Sequence, residues 1–191
     1  MRGELQAQIE RRINHGATYM GIPARKMPTD AWVYQEIIHE LRPDVIVEIG
    51  NRAGGTLVYL ADLCGLIGHG RVVAVDIDHG LLHDDARSDM RLQFVTGDAT
   101  AVFDDVARIV GGRSCLVIED SAHTFDHTLA VLRTYSALIY VGGYLICEDG
   151  VMPEVAEALA VFASEQDAFV ADRKREWPIT WNPGGYLRRI G

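Results

Sequence analysis

Several common ingredients are scarce in this chain, and each scarcity removes a class of protein. Cysteine occurs three times, at Cys64, Cys115 and Cys147, in apolar surroundings. The number is odd and there is no C-x-x-C spacing, so buried free thiols in a reducing, cytoplasmic compartment are expected rather than a disulfide framework. Basic charge is also short: 18 Lys and Arg stand against 27 Asp and Glu, for a net charge of −9 and a pI near 5.2. Nucleic acids and anionic membranes call for clustered cations, and the basic knots Arg11-Arg12, Arg173-Lys174-Arg175 and Arg188-Arg189 are short enough to be solvated faces. No run approaches the ~20 apolar residues of a membrane-spanning helix. Met1 to Ile13 mixes charges with Leu5, Ile9 and Ile13 at helical spacing and lacks a signal-type apolar core. Internal repeats and low-complexity segments are absent.

What the chain does have is enough apolar residue, 48% of 191, to bury the core of a single domain. Its organising stretch is Val45-Ile46-Val47-Glu48-Ile49-Gly50-Asn51-Arg52-Ala53-Gly54-Gly55-Thr56. A buried strand ends at an acid and passes through a glycine turn into a helix, which leaves a nucleotide-sized concavity above it. The turn is G-x-x-x-G-G, not the dinucleotide G-x-G-x-x-G. Arg52 occupies the place where a second glycine would admit a pyrophosphate, which argues against NAD. An acidic strand end beside a glycine turn suits a cationic cofactor with a ribose and an amino acid, of which S-adenosylmethionine is the common example.

The same plan repeats along the chain. Gly16 to Pro28 reads as an ordered loop or arm that covers something. Thr29 or Asp30 caps a helix with Val33, Ile37, Ile38 and Leu41 on its apolar face, and Pro43 ends it. Strands are expected at 45–49, 71–76, 92–95, 115–118 and 144–147, with helices at 54–66, up to Val110, 124–141 and from Pro153 to Ser164. The stretch 78–88 reads as a weak helix or loop. Two short strands, 169–172 and 185–190, close the chain, and with no long helix between them one should run antiparallel at the sheet edge. Alternating strands and helices imply parallel units with right-handed crossovers.

Five successive strands end in carboxylates: Glu48, Asp76, Asp98 just beyond its strand, Asp120 and the pair Glu148-Asp149. In an open parallel sheet these ends share one rim, where the ligand sits at the topological switch point. Asp76 is placed to accept ribose hydroxyls and Asp98 to meet the adenine edge, although both could instead cap turns. Asp120, Glu148 and Asp149 would repel one another unless a cation lay among them, and a hard divalent ion such as Mg²⁺ takes such oxygens. His123 is a candidate general base, with a helix-capping or surface role as the alternative. Cys115 and Cys147 lie within strands, which disfavours thiol chemistry.

These residues resemble a known family, the metal-dependent S-adenosylmethionine methyltransferases grouped with the cephalosporin hydroxylase proteins and related to macrolide-sugar and rhamnosyl O-methyltransferases. The resemblance runs from about Lys26 to Ile190. It is carried by Lys26-x-Pro28-x-Asp30-x-Trp32-x-Tyr34-Gln35-Glu36, Glu48-x-Gly50 with Gly54-Gly55-Thr56, Asp76-Ile77-Asp78, Gly97-Asp98, Asp120-Ser121-x-His123, Gly142-Gly143-Tyr144-Leu145-Ile146, Glu148-Asp149-Gly150 and Asn182-Pro183-Gly184-Gly185-Tyr186-Leu187. It implies a Rossmann-like class I α/β/α fold with a mostly parallel seven-stranded sheet and an antiparallel edge strand. It also implies cofactor contacts at Glu48, Gly50, Asn51, Arg52, Gly54, Thr56, Asp76, Ile77, Asp78, Gly97, Asp98, Ala99 and Asp120. Mg²⁺ would lie on Asp120, Glu148 and Asp149, with His123 as base. Ala122 stands where relatives often have Asp or Asn, and only Val151-Met152 separates Gly150 from Pro153, so the family's substrate lid is not carried over.

The expectation is thus one domain over 1–191, with a helical arm or cap at 1–42 and the core at 43–191. It should be a Mg²⁺-dependent methyltransferase acting on a hydroxyl of a small natural-product or sugar-like acceptor. Carbon or nitrogen methylation, a non-catalytic adenosyl-binding scaffold and an NAD(P) oxidoreductase are the alternatives. Tyr19, Met20, Ile22 and Met27 form an apolar arm with no stripe of its own to pack, so a homo-oligomer is expected too.

Overall fold

The computed structural model describes residues 2–191; the side chains at positions 1–3, 5 and 6, and Leu5 of the expected stripe with them, lie outside the described residues. Helix α1 (Arg2–Gly16) leads into a two-stranded hairpin, β1 (Thr18–Tyr19) and β2 (Ile22–Pro23), and then α2 (Pro28–Leu41). The core follows as β3 (Val45–Ile49), α3 (Gly55–Ile67), β4 (Arg71–Asp76), α4 (Asp84–Arg87), β5 (Leu92–Thr96), α5 (Phe103–Val110), β6 (Cys115–Glu119), α6 (Phe125–Tyr135), β7 (Tyr144–Cys147), α7 (Pro153–Glu165), β8 (Phe169–Ala171) and β9 (Tyr186–Arg189).

The sheet has seven strands in the order β5-β4-β3-β6-β7-β9-β8. β3 pairs in parallel with both β4 and β6, so the chain order reverses between β3 and β6. That is where a doubly wound sheet opens its crevice. Every residue of β3 and of β6 is buried, as expected for β-branched strands covered on both faces. Val45, Val47 and Ile49 pack with Val106, Leu132, Tyr135 and Phe162 of α5, α6 and α7. Ile46 packs on the opposite face with Tyr34, Ile37, Leu57 and Leu60 of α2 and α3. Three layers result.

The expected antiparallel strand is β9, and it lies one place in from the edge, paired to β7 on one side and β8 on the other. A crossover through α7 must return a strand parallel to β7, so β8 takes the edge and the short return through 172–185 fills the gap between them. Gly185 permits this insertion: a Cβ there would lie 1.9 Å from the Cys147 carbonyl oxygen.

The arm corrects two expectations. Neither Thr29 nor Asp30 caps α2, which begins at Pro28 after Met27 without a side-chain cap. The Thr29 hydroxyl donates to the Ile179 carbonyl instead, and the Asp30 carboxylate accepts from the Thr180 hydroxyl, the Trp181 N–H and the Tyr186 hydroxyl. Both side chains tie α2 to the C-terminal loop. The apolar arm also finds its partner within the chain. Ile22 and Met27 are buried, and Tyr19 donates to Asp62 of α3 at 2.9 Å while packing edge-on against Tyr59. Of the four apolar arm residues only Met20 stands out in solvent, so the arm supplies no argument for a second subunit. Among the described residues no helix is long and apolar enough to cross a membrane.

Candidate active site

The carboxyl ends of the strands form a cleft of about 840 Å³, and the backbone ladder continues into its floor. Gly50 donates its N–H to Val75 at 2.8 Å, Asp120 to Ile49 at 2.9 Å and Glu148 to Glu119 at 2.9 Å, which sets the three strand ends level. Gly50 must be glycine: its φ is +88°, and a Cβ would fall 2.1 Å from the Asp120 carbonyl oxygen. Among the described residues five other than glycine have a left-handed φ, and three of them, Arg52, His123 and Asp149, line this cleft. Strain of that kind persists where surrounding contacts over-determine the backbone, and it concentrates at functional sites.

One half of the cleft belongs to β3, β4 and β5. Gly50, Asn51, Arg52, Thr56, Asp76, Ile77, Asp78, Gly97, Asp98 and Ala99, ten of the residues expected to meet the cofactor, all line it. Asp76 accepts the Asn51 N–H at 2.7 Å and the Asp78 N–H at 3.2 Å, one on each carboxylate oxygen. A carboxylate has about four acceptor positions, so capacity for ligand hydroxyls remains. Asp98 uses Oδ1 to cap its own turn, accepting from Thr100 and Ala101, while Oδ2 faces His127 at 3.8 Å. The Thr100 hydrogen bond and its neighbours hold this carboxyl below the usual range.

Two anticipated cofactor residues do not reach the cleft wall. Gly54 is the left-handed N-cap of α3 and packs under Leu82 and Ala86. Glu48 is only 1% exposed on the α2–α3 face of β3, because alternation along the strand sends its side chain inward beside Ile46. Its Oε2 has no partner, and burial pushes its carboxyl up to about 8.

The other half belongs to β6 and β7. Asp120 Oδ1 and Asp149 Oδ2 converge on one atom, His123 Nε2, at 3.1 and 3.2 Å. The Asp120 hydrogen bond, opposed by burial, raises the imidazole above its ordinary value. Asp120, Asp149, His123, Ser121 and Ala122 line the cleft, whereas Glu148 does not. Glu148 is 3% exposed and turned the other way. Its Oε1 accepts from the Tyr34 hydroxyl at 2.6 Å and from the Lys26 ammonium, which also bonds Asp120 Oδ2 at 2.8 Å. Desolvation works against charge on Lys26, but Asp120, Glu148 and Glu48 around it outweigh that and raise its pKa.

Among the described residues the donors available to a metal therefore fall into two groups. Asp120, His123 and Asp149 each present an atom within 4.8 Å of the others on the cleft side, and Glu48, Asp120 and Glu148 do the same on the inner side. The two cleft carboxylates fit a hard cation, which binds through one or two carboxylates and keeps several waters. The inner group already surrounds an ammonium.

Several residues of the cleft lie outside the set expected from the sequence. Glu10 and Asn14 of α1, Ala24 and Arg25 of the arm, and Val151 and Trp181 beyond β7 all face the opening. Lys26, Tyr34 and Asn182 stood within the family-like motifs without a role, although a lysine beside buried Met27 was a signal. The Asn182 amide donates to the Tyr34 hydroxyl at 3.1 Å and its Oδ1 accepts the Asp149 N–H, fixing the turn that aims Asp149 outward. Glu119 is likewise buried, with the Ser121 hydroxyl on one oxygen, and burial pushes it up to about 7.

A parallel sheet with this strand order and a rim of carboxylates around a glycine turn is the arrangement of a class I methyltransferase. The chain belongs to the rhamnosyl O-methyltransferase/CmcI family, whose model matches residues 11–190. The rhamnosyl O-methyltransferase of Mycobacterium tuberculosis (strain ATCC 25618 / H37Rv) is 33% identical over 190 residues, covering 90% of this chain and 78% of that protein. Among solved structures, CmcI with Mg and SAM superimposes with a TM-score of 0.74 at 24% identity, over 92% of this chain and 77% of that one. CalS11, described as a TDP-rhamnose 3'-O-methyltransferase of calicheamicin biosynthesis, gives 0.60 at 16% identity over 99% and 94%.

Proposed function

We propose that this enzyme transfers the methyl group of S-adenosylmethionine to a hydroxyl of a small sugar-like acceptor, in a site that takes a divalent cation such as Mg²⁺. The observation that carries this reading is the convergence of Asp120 Oδ1 and Asp149 Oδ2 on His123 Nε2, at the floor of the cleft that the glycine turn and Asp76 also line. Rhamnosyl and TDP-rhamnose O-methyltransferases among its relatives and fold neighbours support the acceptor class, and a CmcI structure with Mg and SAM supports the cofactors.

The chain's own groups divide the work. Gly50, Asn51 and Thr56 leave room for the cofactor close to the backbone, and Asp76, with Ile77 and Asp78, offers the ribose its acceptors. Asp98 and Ala99 bound the adenine side. Asp120 and Asp149 would hold the cation, which when bound lowers the pKa of an acceptor hydroxyl and orients it. We assign the role of base to His123, which would take the hydroxyl proton as the oxygen attacks the methyl carbon and the carbon–sulfur bond breaks. Half-buried Trp181 and exposed Val151 give the acceptor an apolar wall, and Arg25 stands at its edge.

The test is methyl transfer from labelled S-adenosylmethionine to a panel of free, nucleotide-linked and lipid-linked deoxysugars beside catechols, with and without Mg²⁺. Labelled, base-stable O-methyl sugar formed only with the metal is the expected result. Labelling on carbon or nitrogen, or full turnover in excess chelator, would overturn the oxygen and metal assignments respectively.

A further inference from the structure

We propose that Arg25 and Arg52 form an oxyanion clamp at the mouth of the cleft, so that the acceptor of this enzyme is acidic, a sugar bearing a phosphate or a carboxylate. The inference rests on the reading of this cleft as a methyltransferase site and names the chemical class of its acceptor.

Three observations carry it. First, both arginines line the cleft and are exposed, and neither has an ion pair or a hydrogen bond among the described residues. Carboxylates are not lacking there. Asp76, Asp78, Asp98, Asp120 and Asp149 line the same cleft but are turned to backbone N–H groups, to Lys26 or to His123. Second, the two side chains rise from adjoining backbones. The arm at 22–24 packs on Gly55, where a Cβ would meet the Pro23 carbonyl oxygen at 2.5 Å and the Ala24 Cβ at 2.8 Å. Arg25 follows that segment, and Arg52 precedes Gly55 by three residues. The Ala24 N–H donates to Ala17 at 3.0 Å and the Gly54 N–H to Asn51 at 2.8 Å, which fixes each root and leaves each tip free. Third, Arg52 holds φ +44°, which glycine adopts without strain and a side chain does not. A guanidinium kept there at that cost points to a ligand.

The rim of acids, in a chain of net charge −9, repels an anion, and two unpaired guanidinium groups reverse that at this edge. Guanidinium meets phosphate and carboxylate alike through paired N–H donors. S-adenosylmethionine brings a single carboxylate beside its own ammonium, whereas two exposed cations suit a group arriving from the solvent side.

The experiment titrates the full chain by calorimetry, with and without saturating S-adenosylhomocysteine and with no divalent ion. The probes are rhamnose 1-phosphate, inorganic pyrophosphate, glucuronic acid and, as the neutral control, methyl rhamnoside. Either the phosphate or the carboxylate probes should bind at least about tenfold more tightly than the control and weaken as salt rises, and the tighter set identifies the oxyanion. Arg25→Gln and Arg52→Gln should each cost about tenfold in that affinity, the lower range for hydrogen bonds to a charged group, with S-adenosylhomocysteine binding kept within about twofold. Arg52→Gly, which relieves the left-handed backbone, should lose the probe with little change in melting temperature, and replaces Arg52→Gln if that variant fails to fold. The proposal is wrong if no acidic probe exceeds the control or if the variants leave probe binding intact. It is equally wrong if their loss falls on S-adenosylhomocysteine instead, which would give the arginines to the cofactor's carboxylate. If wild type binds the oxyanion through both arginines but binds no S-adenosylhomocysteine, the methyltransferase reading falls and the clamp stands as a binding site.

Discussion

The two halves of the cleft are built differently. On the β3–β5 side each functional group is held by its own neighbourhood: Asp76 by the N–H groups of Asn51 and Asp78, Asp98 by Thr100 and Ala101. On the β6–β7 side the groups are held from far along the chain. Lys26 reaches Asp120 across 94 residues and Glu148 across 122, and Asn182 fixes Tyr34 across 148. The first half can form as soon as three strands pair, while the second needs the arm, α2 and the C-terminal loop in place. The β3–β5 half should therefore tolerate damage to the β6–β7 half better than the reverse.

The sharpest separation is expected from His123→Ala, which should lower the methyl-transfer rate by roughly 10² to 10⁴ with cofactor affinity unchanged, as for removal of a general base. Single-turnover kinetics beside calorimetry would check it; a parallel loss of cofactor binding would join the two halves. Next comes Lys26→Met, which strands buried carboxylates and should cost about 3–5 kcal/mol of stability, read from urea unfolding. The paired change with Glu148→Gln should recover most of that loss. If it does not, the inner group is held by something other than charge compensation.

On the cofactor side, Asp76→Asn should weaken S-adenosylhomocysteine binding by roughly tenfold, about 1.4 kcal/mol, the lower range for a charge-assisted hydrogen bond. Chelation should leave that affinity unchanged. The smallest effect is a slope in stability with pH. Glu48 and Glu119 are pushed up by burial to about 8 and about 7, from an ordinary value of 4.5. The unfolded chain gives up these protons first, so the stability they contribute is complete below about pH 4.5 and is lost as pH rises toward 7 and 8. Urea midpoints between pH 5 and 8 should decline, and Glu48→Gln or Glu119→Gln should flatten the decline.

The legibility of the molecule follows the same division. Strand positions, most helices between them and the glycine turn were readable because each depends on a short pattern, such as β-branched runs for β3 and β6 and Pro153 at the start of α7; the helix expected over 124–141 instead ends at Tyr135 and gives way to a single 3-10 turn. The capping role expected of Thr29 and Asp30 failed because a favourable local bond lost to three tertiary ones. Glu48 was expected to meet the cofactor because it stands at a strand end beside the glycine turn, yet the alternation of side chains turns it to the buried α2–α3 face.

By itself the sequence determined a mostly parallel α/β arrangement, and that acids gather at the carboxyl ends of its strands, since periodicity and spacing are properties of adjacent residues. Tertiary structure alone decided what each acid does. Glu148 and Asp149 are neighbours of similar chemistry, and nothing local distinguishes the carboxylate turned inward from the one turned into the cleft. Lys26, Tyr34 and Asn182 make that distinction, because the ammonium and the buried hydroxyl claim one carboxylate while the turn at φ +55° swings the other into the cleft.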